Sequence, residues 1–239
     1  TVFDYNDRME KDTIMSPLDS LKYHHMFLQI GSLAIDPKTG HVKAWVGGIN
    51  DKYFAYDHTR SNRQVGSTFK PFIYATAIAL QGVSPCMEID DVPRTISAGT
   101  GNFQLIKDWT PNNSDGKYSY RKMRLRTALQ KSVNTVSVFL MQQLGSTEPV
   151  IELLDNMGVD TKKIPKQPSI CLGAADMSVM DMTGAYTTFA NNGYYSKPIY
   201  ITRIEDKNGR TIYSQDEQDN QALQEEPNYV MVEMLKYAS

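Results

Sequence analysis

Three serines in this chain stand three residues before a lysine: Ser67 before Lys70, Ser114 before Lys117, and Ser119 before Lys122. On a helix this spacing puts both side chains on one face, a turn apart. A serine hydroxyl is a weak nucleophile until a neighbouring base takes its proton. A lysine serves as that base when burial lowers its pKa. Context separates the three pairs. Ser114 lies in Asn112-Asn113-Ser114-Asp115-Gly116, a solvated turn, and Ser119 opens a basic stretch that reads as a polar helix with Lys122 hydrated. Only Ser67 follows a glycine, Gly66, and opens a strongly apolar helical stretch. There it gains the N-terminal end of a helix dipole and a backbone N–H for an oxyanion. The alternative is that Ser67 only caps a buried helix.

A second element, Ser132-Val133-Asn134, is the only Ser-x-Asn in the chain and falls between two helical stretches. Ser132 reads as a helix cap or as a proton relay, and Asn134 as a donor and acceptor for a substrate amide. All four histidines lie within the first quarter, with no H-E-x-x-H and no Cys/His cluster suited to zinc. The two cysteines, Cys86 and Cys171, are isolated and read as structural. Neither a metal nor another cofactor is expected.

These residues need elements to hold them. Apolar residues at Phe69, Phe72, Ile73, Ala75, Ala77 and Ile78 predict a buried helix from Ser67 to Leu80, with Pro71 tolerated only in its first turn. Further helices are expected around Leu125–Leu129, Val133–Leu144, Glu148–Met157, Ser178–Ala190 and Tyr229–Tyr237. Alternation on either side of Asp36-Pro37-Lys38-Thr39-Gly40 predicts a β-hairpin, and Asp206-Lys207-Asn208-Gly209 marks another. Residues 1–29 read as a linker or interdomain strand and 81–117 as a long irregular excursion. With 41% apolar and 22% charged residues over 239 positions, a folded core is expected rather than disorder. A net charge of −2 argues against nucleic-acid binding through a broad basic face, and no apolar run is long enough to span a membrane. Hairpins mixed with a helical block indicate an α/β or α+β fold.

Gly66-Ser67-Thr68-Phe69-Lys70-Pro71 resembles the nucleophile motif of penicillin-binding proteins, and Ser132-Val133-Asn134 resembles their second motif. Val46-Gly47-Gly48, Trp109-Thr110-Pro111-Asn112-Asn113, Leu125-Arg126-Thr127-Ala128-Leu129 and Ala185-Tyr186 through Asn191 extend the resemblance to class A, bifunctional members over about residues 17–239. The resemblance implies a penicillin-binding protein/serine β-lactamase-like fold, an antiparallel sheet with a helical subdomain. It places the transpeptidase domain at 30–239 after the linker 1–29. It further implies a D,D-transpeptidase of cell-wall synthesis that acts on D-Ala-D-Ala stem peptides and is acylated by β-lactams. Ser67 would be the nucleophile, Lys70 the base and Ser132 the proton relay, with Asn134 and Trp109 as substrate contacts. The implied setting is the periplasmic face of a bacterial inner membrane. For a longer protein the resemblance also implies an upstream anchor, a glycosyltransferase domain, a role in cell shape and a synthesis complex.

Lys38-Thr39-Gly40 spells the family's third motif, but it precedes Ser67 and reads as the hairpin turn, with Lys38 solvated. The family places that motif after Ser-x-Asn, where this sequence lacks it. The chain is therefore expected to be a fragment with an incomplete sheet, weakly active or inactive alone. Within the same chemistry a D,D-carboxypeptidase or a β-lactamase would use similar motifs. For the latter, Glu152-Leu153-Leu154-Asp155-Asn156 is a poor match to the deacylating glutamate motif. A non-catalytic penicillin-binding sensor would keep the same fold. Other features read as bland: Arg121, Lys122, Arg124 and Arg126 as a solvated helix face, and Asp90-Asp91 as surface. Trp109 and Tyr118 are candidates to line the cleft.

Overall fold

A computed structural model of the chain describes residues 1–239. Its first segment carries more structure than the expected linker. Val2–Phe3 (β1) and Glu10–Lys11 (β2) pair antiparallel, and Pro17–His25 form helix α1. Ser16 caps α1 by accepting from the Asp19 N–H, with Pro17 in the first turn, where its missing N–H costs nothing. The helix buries none of its residues, so no apolar period betrays it. Aromatic packing holds the segment instead. Phe3 is fully buried, with ring centroids 4.9 Å from Tyr5, 4.9 Å from Phe27 and 5.4 Å from Phe54.

The first expected hairpin is Ser32–Ile35 (β3) against Val42–Val46 (β4), with Leu33 opposite Trp45 and Ala34 opposite Ala44. Asp36 accepts from the N–H groups of Lys38 and Thr39 and so fixes the turn. The two strands pair with each other alone, extended by a bridge from His41 to Ile199.

Arg63–Gln64 (β5) leads into a 3₁₀ turn, Gly66–Phe69, and helix α2, Lys70–Gln81. The α-helix therefore starts three residues later than its apolar pattern suggests. Pro71 is the reason: it has no N–H to bond the Ser67 carbonyl, and the Lys70 N–H takes that oxygen with 3₁₀ spacing. From Lys70 to Ile78 every residue of α2 is buried, and Gly82 ends the helix in the left-handed conformation.

The excursion after α2 contains Glu88–Asp90 (β6), which pairs with Lys122–Arg124 (β7). The basic run is thus a strand followed by a helix rather than one helix face. Its pairing, Ile89 opposite Met123, joins segments more than thirty residues apart and overrides local propensity. Helices α3 (Leu125–Gln130), α4 (Asn134–Leu144) and α5 (Glu148–Asn156) follow, close to expectation. Asp176–Met177 (β8) pairs with β5, and α6 (Val179–Ala190) opens with a Ser178/Asp181 capping box. The rest comprises Tyr194–Ser196 (β9), the hairpin Arg203–Glu205 (β10) with Thr211–Ser214 (β11), Asp219–Gln221 (β12) paired to β9, and helix α7, Glu225–Ala238. Helix α2 lies at the centre of the core, against α4, α5 and α7.

Candidate active site

The turn that carries Ser67 is clamped between two glycines. The Gly66 N–H donates to the Gly173 carbonyl at 3.1 Å, beside the β5–β8 pair and a Val65 to Ala175 bond. A Cβ on Gly173 would fall 1.8 Å from the Gly66 carbonyl oxygen, and its φ of +77° also favours glycine. Tyr186 on α6 donates its hydroxyl to the Thr68 carbonyl at 2.7 Å. Held this way, Ser67 is exposed while Lys70, one turn on, is buried at 1% exposure.

The Lys70 Nζ donates to the Ser132 carbonyl at 2.6 Å, to Ser132 Oγ at 3.0 Å and to Asn134 Oδ1 at 2.7 Å. Three donors meet three acceptors, the full capacity of an ammonium. Burial nevertheless pushes the Lys70 pKa down to about 8. The neighbouring Cys171 thiol is wholly buried, and burial raises its own pKa, so it stays protonated. Cys86 is exposed, and both thiols are free.

Ser132 lies between α3 and α4 with φ +53°, a left-handed conformation that costs a residue with a side chain about 1 kcal/mol or more. The bend aims its carbonyl and hydroxyl at one lysine. The Asn134 side chain spans two partners, accepting from Lys70 and donating through Nδ2 to the Asn112 carbonyl at 2.8 Å. One N–H and one lone pair of that amide remain for a substrate. Of the expected site residues, the structure joins Lys70, Ser132 and Asn134 directly, with Ser67 on the turn that leads into Lys70. Trp109 is half-buried against the core, its backbone paired to Ile96, and its segment leads into Asn112 and Asn113. Lys38 is exposed in the β3–β4 turn.

Asp91 reads as surface in the sequence, yet it is only 4% exposed. Its Oδ1 accepts from Thr135 Oγ1 at 2.7 Å and Asn113 Nδ2 at 2.8 Å, and its Oδ2 from the Ser119 N–H at 2.8 Å. Burial raises its pKa, but the bonds from Ser119, Thr135 and Asn113 outweigh that and hold it below the usual carboxylate range. Asn113 Oδ1 in turn accepts the N–H groups of Asn134 and Thr135 and so caps α4. Sequence reasoning missed Asp91 and Asn113 because their partners come from three separate segments. Adjacent Asn112-Asn113 after a proline was the only local sign.

Residues 30–235 match the penicillin binding protein transpeptidase domain, and residues 1–28 the penicillin-binding protein middle domain. Penicillin-binding protein 1A of Pseudomonas aeruginosa is 34% identical over 186 residues, 77% of this chain and 22% of that protein. The Aquifex aeolicus protein of the same name is 35% identical over 208 residues, 86% of this chain and 27% of the relative. The chain thus spans about a quarter of the length of these curated relatives. Among solved structures, penicillin-binding protein 1A from Haemophilus influenzae superposes with a TM-score of 0.69 at 28% identity, covering 80% of this chain and 28% of that one. Penicillin-binding protein A from M. tuberculosis, solved as an imipenem acyl-enzyme, shares the fold with a TM-score of 0.68 at 17% identity, covering 87% of this chain and 57% of that one.

Proposed function

The chain belongs to the penicillin-binding protein transpeptidase family, and we propose that its Ser67 forms an acyl-enzyme with peptidoglycan stem peptides ending in D-Ala-D-Ala. The acyl group then passes to an amine of a neighbouring strand. The observation that carries this reading is the buried Lys70 amine, bonded to Ser132 and Asn134 one turn from an exposed Ser67.

In its neutral form Lys70 gives up one donated bond and gains a lone pair for the Ser67 proton. Ser67 Oγ attacks the carbonyl between the two D-alanines, and the peptide C–N bond breaks. The proton from Ser67 passes by Lys70 and the Ser132 hydroxyl, 3.0 Å apart, to the leaving D-alanine amine. An acceptor amine then attacks the ester, loses its proton along the same route in reverse, and releases Ser67. A β-lactam offers the same kind of carbonyl, but its leaving amine stays tethered, so the ester persists. Penicillin-binding protein A from M. tuberculosis, which shares this fold, is solved as an imipenem acyl-enzyme. Such peptides lie outside the cytoplasm, and we place the reaction at the extracytoplasmic face of the inner membrane.

The test is covalent labelling. Prolonged exposure to excess labelled penicillin is expected to yield one adduct, slowly formed, on the peptide that contains Ser67. Ser67→Ala should abolish it while the circular dichroism stays unchanged. Labelling that survives in Ser67→Ala, or a wild-type adduct on a peptide that lacks Ser67, would remove the reading.

A further inference from the structure

Beside Ser132 opens a groove of about 900 Å³ in whose lining cations outnumber carboxylates. Lys117, Arg121, Lys122, Arg124, Arg126 and Lys131 all face it, and Ser132 and Val133 form one edge. None of these six cations makes an ion pair; all the ion pairs of the chain lie elsewhere. Arg126 stacks over the Tyr237 ring at 4.8 Å, and its Nε is buried without a hydrogen-bond partner. Three carboxylates, Glu88, Asp91 and Asp115, also line the groove, half as many as the cations. Both oxygens of Asp91 are taken up by Ser119, Asn113 and Thr135, and Asp115 accepts from the Lys117 N–H. A chain with net charge −2 thus keeps a local excess of positive charge along this groove. A cleft with an excess of one sign of charge concentrates ligands of the other, and arginines suit carboxylates because their N–H groups can fork onto both oxygens.

The direction of the chemistry says which ligand. In the proposed reaction the leaving amine takes its proton from Ser132, so the incoming amine must arrive at the same hydroxyl. The strand that brings it then lies against the Ser132 edge. We propose that this groove binds the acceptor strand, a peptide with a free amine and several carboxylates, through its carboxylate groups. The identity of the strand rests on the transpeptidase reading; binding of an acidic peptide by the groove does not.

Fluorescence anisotropy with the whole chain tests this, using a labelled peptide that carries several carboxylates and its fully amidated twin. The acidic peptide should bind at least about tenfold more tightly at low salt, and the difference should shrink as salt rises. Arg121→Gln combined with Arg124→Gln, two exposed side chains, should weaken acidic-peptide binding about tenfold. A control pair with the same loss of charge, Lys166→Gln with Lys207→Gln, should leave it unchanged. Penicillin labelling of Ser67 is read in parallel and should be equal in all variants; its failure bears on the transpeptidase reading, not on the groove. Equal binding of the acidic and amidated peptides, or equal weakening by the groove and control pairs, would overturn the proposal. So would tighter binding of inorganic polyphosphate, which would assign the groove to a phosphate-bearing ligand.

Discussion

At the scale of single residues, Lys70 and Asp91 show what burial does to charge. The Lys70 ammonium is disfavoured by burial, with its pKa near 8, so the reactive neutral amine grows as pH rises through that value. The rate of Ser67 acylation by penicillin should therefore climb about tenfold per pH unit below 8 and level off above it. Lys70→Arg should lower that rate about a hundredfold or more and remove the climb, since a guanidinium keeps its proton. Asp91 runs the other way. Its folded pKa is depressed, so its contribution to stability is present above the ordinary carboxylate pKa and is lost as pH falls through the folded value. Asp91→Ala should cost about 2–4 kcal/mol in urea unfolding at neutral pH, because Thr135 and the Asn113 amide lose their buried partner. The same variant should flatten the acid limb of the stability curve. Ser67, Lys70, Ser132 and Asn134 were legible because each pair is held by a few residues of local spacing. Asp91 was not, since adjacent acids after a strand look alike whether buried or exposed, and only the fold brings Ser119 and Thr135 to one of them.

Elements show the same division. Helices α4, α5 and α6 were readable from their own residues: Gly145 ends α4 in the left-handed conformation, and Ser178 with Asp181 opens α6. What the apolar pattern of α2 hid was its first turn, where Pro71 denies the Ser67 carbonyl an α-helical partner and leaves the serine in a tighter coil. The β6–β7 pair and the β5–β8 pair were illegible for another reason. Strands of two or three residues have no period to read, and their partners lie far along the chain. The β5–β8 pair nonetheless brings Gly173 against Gly66. Gly173→Ala should cost about 3 kcal/mol or more in thermal unfolding and suppress Ser67 labelling even where the fold survives. Both the left-handed φ and the missing space oppose a side chain there. A variant that labels normally would show that the turn tolerates displacement.

Over the whole molecule, two packed bodies of side chains are distinct. The main core gathers around α2, and Phe3 belongs to a separate aromatic cluster with Phe27 and Phe54. Phe3→Ala should remove about 3–4 kcal/mol from the local stability of residues 1–28. In hydrogen exchange, amides of β1, β2 and α1 should lose protection while those of α2 and α4 keep theirs; equal loss in both would mean one cooperative unit. The fold class was readable at this scale, but the second cluster was not, because its rings come from the chain start and from the loop after β4. The left-handed backbone of Ser132 has a consequence for how this protein can evolve or be engineered. Glycine at that position would relieve the strain and raise stability by about 1 kcal/mol, yet it would delete the hydroxyl that the proposed proton transfer uses. Selection for heat resistance alone should therefore drift toward Ser132→Gly, and selection for acyl transfer should reverse it. The two pressures pull on one atom in opposite directions.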